Sequence, residues 1–324
     1  MTGASRTVRL LAASALALLG LLAPGAAGPA SAADNGQWSV VPAAGRIAQR
    51  PYFFLAADPG GRVDDRVTVT NRTAAPLTFR LYAADAYNTA RDGGFAVRGA
   101  DEPRTGVGAW TRLSRERVTV PPRSAVTVPF SLTLPDRAEP GDHPGAIVAL
   151  DERTVPGGRG LGVRQAVAAR VHLRVSGPTE PALAVEGLGV RQDGDTAEVS
   201  YTLRNLGNVT LHPRARLVAR GVLSGRLVDR RITALPADLL PGQSVRLTER
   251  WTGLPWFDRV RLRVAAGDRA AADLATTSFQ AGRWGLAPVV PAFALLGGVL
   301  WYRFRRPRTR TGRRSRPDRG EWLA

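Results

Sequence analysis

The chain has 324 residues, 45 basic against 27 acidic side chains, a formal charge of +18, no Cys and no Lys. Without Cys there are no disulfides and no thiolate metal sites. Without Lys there is no phosphate-loop lysine, no Schiff base, no Ser-x-x-Lys acylation site and no Lys–Asn cross-link, so any folded part rests on an ordinary hydrophobic core.

The N-terminal segment has the plan of a secretory leader: Arg6 and Arg9, an apolar run from Leu10 to Leu22, then Ala30-Ser31-Ala32. Residues 1–32 are expected to be removed by cleavage between Ala32 and Ala33. Period-two alternation follows, as in half-buried strands. Val67 and Val69, then Leu77, Phe79 and Leu81, then Val126 to Leu134 at every second position, and Val171, Leu173 and Val175 are expected to face a core. Pro129 falls on the outward side of its run and predicts an edge strand. Asp58-Pro59-Gly60-Gly61, Asp92-Gly93-Gly94, Pro121-Pro122 and Pro140-Gly141 punctuate the runs as turns.

A boundary is expected near Ser176-Gly177-Pro178, and alternation resumes beyond it through Val199, Tyr201, Leu203, Ala215, Leu217, Ala219, Val245, Leu247, Val260, Leu262 and Val264. The two halves share a plan. A strand ends at Asn71 or Asn205, an outward Pro76 or Pro213 opens the next, and a Pro turn (Pro121-Pro122-Arg123-Ser124, Pro241-Gly242-Gln243-Ser244) launches a later one. The fold class read from this is all-β: two tandem immunoglobulin-like sandwiches, residues 33–177 and 178–280.

Residues 284–302 carry no charge and read as a transmembrane helix bracketed by Trp284, Trp301 and Tyr302. Arg303, Arg305 and Arg306 open a basic tail, 303–324, whose charge of +7 places it in the cytoplasm and the sandwiches outside the cell. With +2 in the leader, +9 remains on the external part. This suits anionic wall polymers or an acidic partner, and the tail's charge is no sign of nucleic-acid binding.

Signals for chemistry are weak. Gly157-Gly158-Arg159-Gly160-Leu161-Gly162 lacks the strand–helix setting of a phosphate loop and reads as a hairpin loop. His143, His172 and His212 are far apart, His172 on the outward side of its strand, and no ligand cluster emerges. Asp193-Gly194-Asp195 reads as a hairpin turn rather than a calcium loop, and the adjacent pairs Asp64-Asp65 and Asp101-Glu102 point to opposite faces. No catalytic residue, cofactor or metal is expected. Leu274-Ala275-Thr276-Thr277-Ser278 looks like a sorting pentapeptide but also like the last strand of the second sandwich. The candidate binding residues are aromatic: Tyr52, Phe53 and Phe54, which exceed what one alternating strand hides, an outward Tyr82, Tyr87 and Trp110.

Trp38-Ser39-Val40-Val41-Pro42, the Pro59-Gly60 turn, Val69-Thr70-Asn71, the Asp85 region, Trp110, the run from Pro122 to Leu134 and Gly141-Asp142-His143-Pro144-Gly145-Ala146-Ile147 together resemble the N-terminal domain of WxL-interacting proteins of Gram-positive bacteria, over most of residues 38–176. The layout of leader, two sandwiches, one span and a basic tail is also similar. The resemblance implies peptidoglycan binding by the first domain and a secreted WxL-type surface protein as partner. The function expected is a single-pass, membrane-anchored cell-surface adaptor. The alternatives are a structural stalk or strand-exchange assembly chaperone, and an unrecognised hydrolase.

Overall fold

The structure, a computed structural model, describes residues 34–44, 50–156, 162–282 and 289–305. The expected cleavage site at Ala32 and Ala33, most of the Gly157–Gly162 loop, Trp284 and the tail from Arg306 onward lie outside the described residues.

The first unit contains β1 (Trp38–Pro42), β2 (Phe53–Ala57), β3 (Arg62–Asn71), β4 (Leu77–Asn88), β5 (Phe95–Val97), the one-turn helix α1 (Val107–Trp110), β6 (Thr111–Leu113), β7 (Arg117–Val120), β8 (Ala125–Thr133), β9 (Gly141–Asp151), the short pair β10 (Val155–Pro156) and β11 (Gly162–Val163), and β12 (Ala166–Val175). One sheet runs β1-β3-β8-β6, and the other runs β2-β12-β9-β4-β5 with β7 also on β4. The chain therefore changes sheets near its start: β1 lies antiparallel to β3, and β2 lies parallel to β12. The alternating side chains meet between the sheets, with Trp38, Phe53, Val67, Val69, Leu77, Phe79, Phe130, Leu132, Val171 and Leu173 in one core.

The second unit contains β13 (Leu183–Asp193), β14 (Thr196–Asn205), β15 (Arg214–Gly221), β16 (Gly225–Ile232), β17 (Ser244–Thr252), β18 (Phe257–Gly267) and β19 (Ala272–Gly282). Its sheets run β13-β14-β17 and β16-β15-β18-β19, around a core of Val199, Tyr201, Leu203, Leu217, Val245, Val260, Leu262 and Val264. The chain is all-β with immunoglobulin-like sandwiches, as the alternation predicts. Asp193-Gly194-Asp195 is a hairpin turn with Gly194 at φ +59°, and Leu274–Ser278 lies within β19, paired to β18.

The shared plan has a physical basis. Asn71 and Asn205 are both fully buried at strand ends. The Asn71 amide donates to the carbonyls of Ala75 (2.8 Å), Val120 and Pro121 (both 3.1 Å), while its oxygen accepts the Thr73 N–H at 2.9 Å. Asn205 donates to Val209 at 2.7 Å and Leu239 at 2.9 Å and accepts from Gly207 at 3.0 Å. Each amide ties a strand end to its own turn and to a remote segment, and its own donors and acceptor are all paired. The matching Pro turns align one residue away from the sequence reading. Pro122 corresponds to Pro241, because Arg123 (φ +50°) and Gly242 (φ +69°) hold the left-handed position.

Three expectations are corrected. Tyr82 does face away from the main core, but Val97, Ala100, Leu150 and Ala168 cover that face and bury it in a second small cluster with Ala84, Ala146 and Val148. The strand holding Pro129 is interior over Phe130–Leu132, where β6 pairs with it; only its first half is an edge. Pro213 is buried rather than outward. The helix α2 (Val289–Arg305), within the stretch read as a span, is 17 residues long, and no helix among the described residues is long and apolar enough to cross a membrane.

A non-glycine side chain in the left-handed region costs about 1–2 kcal/mol. Arg123→Gly is therefore expected to leave unfolding stability unchanged or raised by up to about 1 kcal/mol, and Gly242→Ala to lower it by about 1 kcal/mol. Equilibrium urea unfolding of the two variants checks the opposite signs.

Candidate functional site: the elbow between the sandwiches

Two loops of the second unit reach back onto the outer face of the β12-β9-β4 sheet. Asn88, buried at the end of β4, donates to the Asp238 carbonyl (2.7 Å) and accepts the Leu240 N–H (2.9 Å). Asp142 at the start of β9 donates its N–H to the Asn208 carbonyl at 2.7 Å, and its carboxylate accepts the Thr210 N–H at 2.8 Å. Asn208 in turn donates to the Pro140 carbonyl at 2.9 Å.

Two glycines make this approach possible. A Cβ on Gly93 (φ +71°) would lie 2.8 Å from Pro236, and one on Gly141 (φ +123°) would fall on the Asn208 carbonyl. Directional bonds to backbone at both contacts fix the angle between the sandwiches, where apolar packing alone would allow sliding.

The outward side chains of β12 line this elbow. Arg170 pairs with Asp238 at 3.3 Å and lies over the rings of Phe95 (4.3 Å) and Tyr52 (5.6 Å). Arg174 is bonded to Asp142. Between them His172 stacks on Phe54, with centroids 5.1 Å apart and planes 12° from parallel, and meets the edge of Tyr52 at 5.7 Å. Burial holds the His172 imidazole below its ordinary pKa. Arg170 and His212 push the same way, while Asp238 and Asp142 oppose them. His212 places Nδ1 3.0 Å from the Ala237 carbonyl and 3.1 Å from Asp238.

Of the aromatic candidates, Tyr52 and Phe54 therefore share one patch. Phe53 does not join it: it is a core residue packed edge-on to Phe130 at 5.2 Å. Tyr82 and Tyr87 are capped by Arg104 and Arg98 at 5.9 and 5.7 Å. Trp110 packs on the core and against His143 at 4.9 Å, on α1, which Asp85 anchors by accepting the N–H groups of Thr105, Gly106 and Gly108 at 2.7–3.0 Å. Sequence reasoning missed Arg170, Phe95, Asn88 and Asp238. The alternation Arg170-x-His172-x-Arg174 marks a polar outer face, but it carries no sign that a second domain covers it.

The outer edge of β2 adds a second feature. Only β12 pairs with β2 among the described strands. The Ala57 carbonyl accepts from the Ser176 N–H at 3.0 Å on the β12 side, so the backbone groups of the alternate residues Phe54 and Ala56 point to the open side. Phe54 is 64% exposed. Among the described residues, no group of three or more His, Asp or Glu is placed to hold a metal ion.

No family model and no curated protein matches the chain. Solved structures similar to the chain include a chaperone–tip adhesin complex of CFA/I fimbriae biogenesis, at 8% identity over 74% of this chain and 98% of that one, with a TM-score of 0.38. The class 5 fimbriae chaperone CfaA is 10% identical over 70% and 95%, with a TM-score of 0.36. The SafB chaperone–SafA pilin complex of Salmonella enterica is 12% identical over 76% and 98%, with a TM-score of 0.33. At these scores none of them bears on what this chain does.

If the bonds of Asn88 fix the elbow, Asn88→Leu strands one donor, the Leu240 N–H, and two acceptors, the Gly93 and Asp238 carbonyls, with an expected loss of about 2–4 kcal/mol. A dye pair on two introduced cysteines, one per sandwich, should report a broader distance distribution than in the parent. The His172 shift gives a second expectation. Because its folded pKa is depressed, the unfolded chain takes up the proton first, from about pH 6.5 downward. The contribution of His172 is complete above that pH and is lost as pH falls through the lower folded value. Stability measured against pH should therefore drop more steeply in the parent than in His172→Phe.

Proposed function

We propose that the chain is a non-catalytic, membrane-tethered binding module that holds an extended segment of a protein partner along the outer edge of β2. The observation that carries this reading is the open backbone edge at Phe54 and Ala56, flanked by Tyr52, Phe54 and His172 on a rigid elbow. An added strand gains affinity from main-chain hydrogen bonds and selectivity from the side chains it meets. Exposed aromatics with an adjacent Arg are the residue types that anchor protein interfaces. A secreted surface protein is the partner class this suits, in keeping with the expected adaptor role.

The tether we propose is the apolar stretch 284–302. In α2 the side chains of Phe293, Leu295, Leu296, Val299 and Leu300 are exposed to solvent rather than packed on either sandwich. The helix alone spans about 26 Å at 1.5 Å per residue, and the uncharged residues 284–288 precede it in sequence. Arg303 and Arg305 close it, which supports a cytoplasmic tail and external sandwiches.

A photo-cross-linking residue in place of Phe54, in the full chain in its native membrane, is expected to form an adduct with a protein. Ala56→Pro removes an outward N–H without touching the β12 ladder, and edge strands tolerate proline. The adduct should disappear in the double variant while the thermal midpoint holds. An adduct that persists with Pro at position 56, or one formed with wall glycan alone, would sink the strand-addition reading.

A further inference from the structure

The far end of the second sandwich carries an exposed apolar tip. Val222 and Leu223, in the turn after β15, are each 75% exposed, and Trp256 and Phe257, at the start of β18, are 60% and 59% exposed. One buried carboxylate brings the two turns together. Asp258 accepts the N–H groups of Val222 (3.0 Å), Leu223 (3.1 Å) and Ser224 (2.9 Å), and Val222 also donates to the Arg259 carbonyl at 3.1 Å. Burial pushes the Asp258 carboxyl up, but these N–H bonds outweigh it and hold it below its ordinary range. The tip is thus a built surface: an anion buried in the turn fixes four large apolar side chains pointing outward.

Arginines surround it. On the outer face of the β16-β15-β18-β19 sheet, strand register sets Arg220 directly opposite Arg226 on one side and Arg261 on the other. Like charges placed opposite each other in a sheet repel. Arg259 and Arg263 join them around a groove of about 930 Å³, in which Asp229 is the only carboxylate among the described residues. Asp229 is already paired with Arg216 at 2.6 Å and Arg226 at 3.5 Å. The ladder is therefore under-neutralised within the protein.

The position of this patch along the chain decides what faces it. Gly282, the last residue of β19, pairs with Phe257, so the chain leaves the sandwich at the tip. Six residues separate Gly282 from α2, a reach of at most about 25 Å at ~3.6 Å per residue.

We propose that this tip rests on the membrane surface, with Val222, Leu223, Trp256 and Phe257 entering the interface and Arg220, Arg259 and Arg261 engaging the phosphates of anionic phospholipids. Interfacial Trp beside Arg is the composition that such a boundary favours. The inference rests on the reading of residues 284–302 as the anchor. It adds that the second sandwich is seated on the bilayer rather than swinging on a linker, which would hold the elbow at a set height and orientation.

Because the chain has no Cys, Leu223→Cys provides one labelling site for a polarity-sensitive fluorophore, and Arg115→Cys in the first sandwich is the control. The full chain is reconstituted in vesicles of equal parts phosphatidylcholine and phosphatidylglycerol and floated. The position-223 probe should shift to the blue and be quenched by lipids spin-labelled near the headgroup, and the position-115 probe should show neither effect. The shift should be lost in phosphatidylcholine alone and in the Arg220→Glu, Arg261→Glu double variant. A chain that floats with a solvent-like position-223 probe overturns the proposal and leaves the anchor standing. A chain that does not float removes the anchor, and the proposal with it. A blue shift that lipid quenchers do not touch, with energy transfer between labelled copies, assigns the tip to a second copy and also overturns it.

Discussion

Each sandwich closes around one buried asparagine. With no Cys in the chain, neither pair of sheets can be stitched covalently, and apolar packing alone would leave the sheets free to slide. Asn71 and Asn205 supply the directional link. Each amide ends a strand, closes its own turn and reaches a segment distant in sequence. A short side chain that offers donors and an acceptor within one planar group meets all three needs. The neighbouring Pro turns follow from the same closure, because each delivers a backbone carbonyl to the amide N–H at the strand end: Ser124 to Asn71 and Gln243 to Asn205.

The same device recurs between the sandwiches. Asn88 and Asn208 make the principal polar contacts of the elbow, both to backbone, at points where Gly93 and Gly141 let the chains approach. Two sandwiches joined only by a linker would move independently. Here the hydrogen bonds fix one angle, and the outward side chains of β12 become the floor of a cleft. His172 is a product of that arrangement. It lies on the polar side of its strand, yet Phe54, Tyr52 and the second unit enclose it enough to favour the neutral ring.

The molecule is polarised along its length. Aromatic residues and an open sheet edge lie at the elbow; an apolar tip ringed by arginine lies where the chain leaves the second sandwich for the apolar helix. Under the proposed function, a fixed stand-off and orientation would reduce the freedom that association removes.

Alternation was enough to assign β3, β4, β8, β12, β14, β15, β17 and β18 and their core residues, but not β9 or β16, whose burial does not alternate. In a two-layer sandwich the inward positions are set by period alone, and Val67, Phe79, Leu132, Leu173, Tyr201 and Val264 are all buried as read. The recurrence of Asn and of a Pro turn in the two halves was also visible, although the left-handed residue that aligns Pro122 with Pro241 was not. Tyr82 shows where the local signal stops. Its strand face was legible, but the segment that covers that face comes from β5 and the loops after it, and period carries no information about a third layer. The elbow and the tip have the same character. Arg170 meets Asp238 across 68 residues, and Val222 meets Asp258 across 36. Such contacts depend on how completed sandwiches stack and on which strands become neighbours, so they were decided only by the tertiary structure.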